Sequence, residues 1–135
     1  MTSDEQHERG LQQLRALAGP DAEAAVERNT ALAPDLGRWI VDFVFGEVYS
    51  RPGLDLRTRQ IVNVAALAAL GTATPQLEAH LRGALNVGVT KEELIEIILH
   101  LAVYAGFPAS LNGIAALERV LAAREAAAAP PPPGV

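Results

Sequence analysis

The stretch T-K-E-E-L-I-E-I-I-L-H-L-A-V-Y-A-G, Thr90 to Gly106, decides the fold. Thr90 followed three residues later by Glu93 forms a capping box that opens a helix, and Gly106 closes it. From Leu94 to Ala105 the segment is apolar nearly all round. The exceptions, Glu96, His100 and Tyr104, fall at i, i+4 and i+8 and share one stripe about 80° wide at 100° per residue. A helix apolar on every side has to be enclosed. A second helix of this kind runs from Leu56 to Leu70, capped by Asp55 and ended by Gly71, with Arg59, Asn63 and Ala66 on one line. A chain of 135 residues has little volume to enclose two such helices, so a homo-oligomer is expected, with the Ala-rich faces at its interfaces.

The flanking sequence is helical throughout. Asp4 to Ala18 places Leu11, Leu14, Leu17 and Ala18 on one face and stops at Gly19-Pro20. A short helix starts near Asp21 and ends near Asn29. Pro34-Asp35 opens a third, with Leu36, Trp39, Ile40, Phe43 and Val44 as its apolar stripe and Gly46 to Gly53 as a connection. Thr74-Pro75 opens a helix that reaches Val87 and stops at Gly88, and Pro108 starts the last one. No segment alternates like a strand. The expected fold is all-α, a bundle of six to seven helices forming one domain over residues 1–125. Residues 126–135, Ala-rich and then carrying four consecutive prolines, read as a disordered tail.

Composition narrows the chemistry. Half of the residues are hydrophobic, 25 are alanine and only 4% are aromatic, which suits close helix packing. With no cysteine, thiol chemistry, iron–sulfur clusters and cysteine-based zinc sites are excluded. The net charge of −5 disfavours nucleic acid as a partner. The apolar runs are too short to span a bilayer, and Met1–Arg9 lacks the basic start and apolar run of a signal peptide, so the cytoplasm is the expected compartment. No H-E-x-x-H, Walker or G-x-S-x-G pattern occurs, and no metal is expected.

The polar residues on the buried helices are the candidate site. Burying them unpaired costs about 1–3 kcal/mol each, so they satisfy one another or line a wet pocket. His80 flanks the apolar face set by Leu77, Leu81 and Leu85, beside the small Gly83 and Ala84. It reads either as a core histidine with one hydrogen bond or as a functional group. Glu96, His100 and Tyr104 read either as a structural network, with Glu96 fixing His100, or as part of a pocket. Arg59–Asn63 allows the same two readings. Glu78 and Arg82, at i and i+4, could form a surface ion pair.

Four segments carry a family resemblance: G-E-V-Y-S-R-P-G-L-D-L-R-T-R-Q (Gly46–Gln60), A-A-L-A-A-L-G (Ala65–Gly71), H-L-R-G-A-L-N-V-G-V-T (His80–Thr90) and E-I-I-L-H-L-A-V-Y-A-G-F-P-A (Glu96–Ala109). In order and spacing, from about Glu8 to Leu121, they resemble the γ-carboxymuconolactone decarboxylases. The alkyl hydroperoxidase D group is a more distant relative whose members carry a C-x-x-C pair seven and four residues before the histidine corresponding to His80. Those positions are Ala73 and Gln76 here, so this is a cysteine-free branch without that group's thiol activity. Two departures from the family pattern are Asn63, where Thr or Ser is common, and the segment Ala109–Ile114.

The resemblance implies an alkyl hydroperoxidase D-like all-α fold, a trimeric or hexameric homo-oligomer, and a cofactor-free decarboxylase. The implied substrate is the lactone carboxylate 4-carboxymuconolactone, and the product is the β-ketoadipate enol-lactone of protocatechuate catabolism. On that reading His80 protonates the intermediate, His100 with Tyr104 donates to the lactone oxygen, and Glu96 orients His100. Arg51 and Arg59 bind carboxylates, Glu47 orients Arg51, and Asn63 shapes the pocket. Two alternatives stay open: the same fold acting on a different lactone as isomerase, hydrolase or cyclase, and a non-catalytic oligomer that binds a small acid.

Overall fold

The computed structural model describes residues 1–134. Among them are seven α-helices and no strand: α1 (Ser3–Ala18), α2 (Ala22–Asn29), α3 (Pro34–Trp39), α4 (Leu56–Leu70), α5 (Thr74–Asn86), α6 (Lys91–Ala105) and α7 (Phe107–Ala128). Between α3 and α4, Ile40–Val48 is wound as a π-helix. None of the described helices is long and apolar enough to cross a membrane. The described chain packs as two compact units. The first is Met1–Arg59 with Asn86–Gly88, and the second is Gln60–Leu85 with the chain from Val89 onward.

In the first unit α1 packs along the π segment. Leu11, Leu14 and Leu17 of α1 are buried against Val41 and Phe45, while Ala18 is exposed. The contact is close because glycines face it. A Cβ on Gly10 would lie 2.2 Å from the Val41 carbonyl oxygen, and one on Gly46 would lie 2.5 Å from that of Gln6. Side chains of α1 then reach the π segment's backbone. Gln6 Nε2 donates to the Asp42 carbonyl (2.8 Å), and Arg9 Nε and Nη2 donate to the Gly46 carbonyl (2.9 and 2.6 Å). His7 Nδ1 lies 2.6 Å from Asp42 Oδ1.

This packing corrects the expected apolar stripe. The buried face of α3 and the π segment is Gly37, Val41, Phe45 and Gly46. Ile40 and Val44 pack against its margin, but Leu36, Trp39 and Phe43 are exposed. The backbones approach most closely at glycines, Gly46 against Gln6 of α1 and Gly37 against Thr30, where any side chain would hold the neighbours apart. The expected connection from Gly46 is also corrected. Helical winding runs to Val48, where the Tyr49 N–H bonds the Val44 carbonyl five residues back (2.8 Å).

The second unit encloses its core between α4, α5, α6 and α7. Leu81, Leu94, Ile98 and Val64 have no solvent exposure, and each such side chain contributes about 1.5–3 kcal/mol by leaving water. The capping box of Thr90 and Glu93 forms as expected (3.1 Å each way). Gly106, at φ +89°, turns the chain from α6 into α7. The two helices pack against each other there: Ser110 Oγ donates to the buried Ile98 carbonyl (2.7 Å), and a Cβ on Gly113 would meet Ile98 at 3.1 Å.

Within one chain α6 is not enclosed on all sides. It buries Leu94, Ile98 and Leu101, and leaves Leu99 54%, Val103 77% and Tyr104 83% exposed. Phe107 and Leu111 of α7 are exposed beyond them. Helix α7 continues to Ala128, three residues into the stretch read as tail. Its last carbonyls are still taken up, since the Ala129 N–H bonds the Glu125 carbonyl (3.0 Å), and Ala129 itself turns extended.

Candidate active site

His80 is held on α5 by the buried Leu77 and Leu81 on either side of it. Its imidazole is partly buried and faces two amides of α4. Nδ1 lies 2.8 Å from Gln60 Oε1 and 3.5 Å from Asn63 Nδ2. Gln60 has no solvent exposure, and its Nε2 has no hydrogen-bond partner. Burial pushes the His80 pKa below the ordinary histidine value, because charging the ring would cost solvation. The free protein therefore holds a neutral imidazole at pH 7, and Nε2 is the nitrogen left for a ligand. Gln60 was absent from the expected site. Its signal in the sequence is an uncharged amide three residues before Asn63, at the start of the apolar part of α4.

The second histidine belongs to a different surface. Glu96, His100 and Tyr104 are all exposed. The His100 and Tyr104 rings lie 5.8 Å apart at 47°. Glu96 makes no hydrogen bond to His100 among the described residues, so the expected orienting contact is not formed. Glu96, Ile97, Leu99 and His100 line an open groove of about 610 Å³ with Ile61 and Ala65 of α4. At 100° per residue, with Gln60 at 0°, Asn63 stands at about 300° and Ile61 and Ala65 at about 100° and 140°. His80 therefore meets one flank of α4, and the His100 groove lies along the other.

The residues expected to bind carboxylates lie in the first unit. Arg59 is tied to its own turn, with Nη2 donating to the Arg51 carbonyl (3.0 Å) and Nε to that of Leu54 (3.2 Å). It therefore holds the Arg51–Leu54 turn, with part of its donor fork already used. Asp55 caps α4 as expected, accepting from the Thr58 N–H (2.7 Å), and hydrogen bonding from the Thr58 side chain, then from its backbone, lowers the Asp55 pKa. Arg51 is exposed, without an ion-pair partner among the described residues. Glu47 faces Arg9 (4.0 Å) rather than Arg51. In the second unit Glu78 pairs with Arg119 of α7 (2.6 Å) and not with Arg82. Tertiary packing brings an arginine closer than helical spacing does. No three His, Cys, Asp or Glu side chains among the described residues converge on a point that could hold a metal ion.

The carboxymuconolactone decarboxylase family profile matches residues 34–119. The chain belongs to the carboxymuconolactone decarboxylase family. It is 40% identical over 111 residues, 82% of each chain, to the 4-carboxymuconolactone decarboxylase of Acinetobacter baylyi. It is 30% identical over 125 residues to the nitrosuccinic acid decarboxylase of Metarhizium robertsii, covering 89% of this chain and 87% of that one. An uncharacterized 15.0 kDa protein of Paracoccus denitrificans is 33% identical over 92 residues, 67% of this chain and 69% of that one. Both relatives with a named activity are decarboxylases, so carboxy-lyase chemistry and an all-α alkyl hydroperoxidase D-like fold are what this family membership carries.

Proposed function

We propose that this carboxymuconolactone decarboxylase family member converts 4-carboxymuconolactone to the β-ketoadipate enol-lactone without a cofactor, in the cytoplasm and as a homo-oligomer. The observation that carries the substrate is the 40% identity to the Acinetobacter baylyi enzyme across 82% of both chains.

The chemistry asks little of the protein. The leaving carboxylate sits on a ring carbon joined to an alkene that is conjugated with the lactone carbonyl. As the C–CO2 bond breaks, its electron pair moves through the alkene into that carbonyl and gives a dienolate. Protonation at carbon then gives the enol-lactone. The substrate is its own electron sink, so neither a metal nor a Schiff base is required. An acid must reach carbon, and His80 is assigned to it. Its imidazole is neutral in the free protein, and a dianionic substrate beside it favours the charged form. The proton is therefore taken up as the substrate binds. Arg51 is assigned to the spectator carboxylate.

His100 and Tyr104 are assigned to the lactone oxygen of a neighbouring copy's site, since within one chain their groove lies on the other flank of α4 from His80. Glu96, one turn before His100, is the carboxylate available to orient it once the groove is covered. The exposed Leu99, Val103, Phe107 and Leu111 support a covered α6–α7 face and hence the oligomer.

The test supplies 4-carboxymuconolactone enzymatically and follows CO2 release and the product by NMR. The expected result is stoichiometric CO2 with enol-lactone appearing faster than it does spontaneously. His80→Ala should then lower kcat by about a hundredfold or more. No acceleration by folded protein would overturn the reading. A second substrate belongs in the same assay, because the 30% identity to the nitrosuccinic acid decarboxylase supports a wider class: acids whose leaving carboxylate adjoins an electron-accepting group. Turnover of nitrosuccinic acid alone would move the proposal to that member of the class.

A further inference from the structure

We propose that Gln60 is a positioning residue whose carbonyl oxygen keeps a proton on His80 Nδ1, so that Nε2 is the ring nitrogen that exchanges a proton with the substrate. This rests on the reading of His80 as the proton carrier. Three observations converge on it. The Gln60 Oε1 to His80 Nδ1 distance is 2.8 Å, and a carbonyl oxygen only accepts, so Nδ1 is the donor in this contact, while Asn63 Nδ2, itself a donor, stands off at 3.5 Å and does not compete for the nitrogen. Gln60 is wholly buried, and its Nε2 is left without a partner. An amide buried with one end unpaired is costly, and an apolar side chain of similar volume would serve the fold better. The reason to keep the amide therefore lies at its paired end.

The third observation concerns both protonation states of the ring. Neutral His80 with Nδ1–H and the imidazolium each donate from Nδ1, so the bond to Gln60 Oε1 survives proton uptake and release at Nε2. The opposite amide orientation would set two donors against each other as soon as the imidazolium formed. The pair is thus arranged for a ring that gains and loses its proton at Nε2 without reorganising its other side. The polar groups facing the ring from α4 are the neutral Gln60 and Asn63. No charged side chain adds to the effect of burial on its titration. A carboxylate in place of Gln60 would favour the charged ring before any substrate arrives, whereas a neutral carbonyl lets the charge arrive with the substrate.

The test is ring-nitrogen NMR of His80 in the full-length protein without substrate, with the signals assigned by the loss of one set in His80→Gln. The wild-type ring is expected to carry its proton on Nδ1 when neutral. Gln60→Met, which keeps the bulk and removes the acceptor, should shift the ring towards the Nε2–H form and lower kcat by about tenfold or more, with KM little changed. Gln60→Glu should keep Nδ1–H and raise the His80 titration by about 1–3 pH units, a change that a merely structural role would not produce. A wild-type ring protonated on Nε2, or one whose nitrogen shifts do not respond to Gln60→Met, would overturn the inference. If Gln60→Met does not fold, the wild-type and Gln60→Glu spectra decide alone. Retained turnover in His80→Gln would instead sink the proton-carrier reading and leave the tautomer assignment standing, so the two failures are distinguishable.

Discussion

Replacing Gly10 with alanine tests how tightly α1 is seated. The added Cβ would lie 2.2 Å from the Val41 carbonyl oxygen and 3.1 Å from the Gly46 nitrogen. An ordinary carbon–oxygen contact is about 1 Å longer than the first of these. The obstacle is backbone, so no rotamer change relieves it, and α1 must withdraw by about that distance. A gap of about 0.5–1 Å forfeits a quarter to a half of the dispersion energy across it, here among Leu11, Leu14, Val41 and Phe45. The Arg9 bonds to the Gly46 carbonyl and the Gln6 bond to the Asp42 carbonyl stretch with it. The cost is about 3 kcal/mol, at the upper end of overpacking penalties. The better helix propensity of alanine returns about 1 kcal/mol. A net loss of about 2 kcal/mol lowers the melting temperature of a chain this size by roughly 6–10 °C. Thermal and urea unfolding of Gly10→Ala should show it. Gly53→Ala, with nothing within 4 Å of its added Cβ, should stay within about 0.5 kcal/mol of wild type. The double variant Gly10→Ala/Gly46→Ala should cost less than the sum, because one withdrawal relieves both clashes. A Gly10→Ala melting curve that overlays the wild type would refute the close approach.

Three further outcomes follow from the second unit. The folded-state pKa of His80 is lowered by burial, so the unfolded chain binds this proton more readily. Stability is then full above the unfolded pKa near 6.5 and declines as pH falls from there towards the folded value; urea unfolding at pH 7.5 and 5.5 should show a smaller acid loss for His80→Gln than for wild type. Ser110→Ala leaves the buried Ile98 carbonyl without its 2.7 Å side-chain donor and should cost about 1 kcal/mol in a melting experiment. Val103→Asp puts a charge on the exposed apolar face of α6 and should turn the proposed oligomer into 14.3 kDa monomers in sedimentation velocity, whereas a wild type that already sediments as a monomer would refute the covered face.

Helix boundaries were readable because capping and termination are local. Asp55, Thr90 with Glu93, and Gly106 act within a turn of their own positions, and each appears where spacing places it. Side-chain partners were not readable in the same way. Glu78 meets Arg119, 41 residues away, rather than Arg82 one turn on, and Glu47 faces Arg9. The stripe of α3 failed for a related reason. Counting bulky apolar residues finds a surface that avoids water, but the face that packs most closely is the one carrying Gly37 and Gly46.

The sequence by itself determined the helical class, most helix ends, the absence of thiol chemistry and the family. All of these follow from residue type and short-range spacing. Only the tertiary structure decided which flank of α4 each histidine faces. It put His80 against Gln60 and Asn63, and it set His100 in a separate groove with Ile61 and Ala65. Helical periodicity gives the angle of a residue around its own axis, but not which neighbour lies in that direction. That is set by how α5 and α6 pack onto α4, through contacts among residues tens of positions apart in the chain.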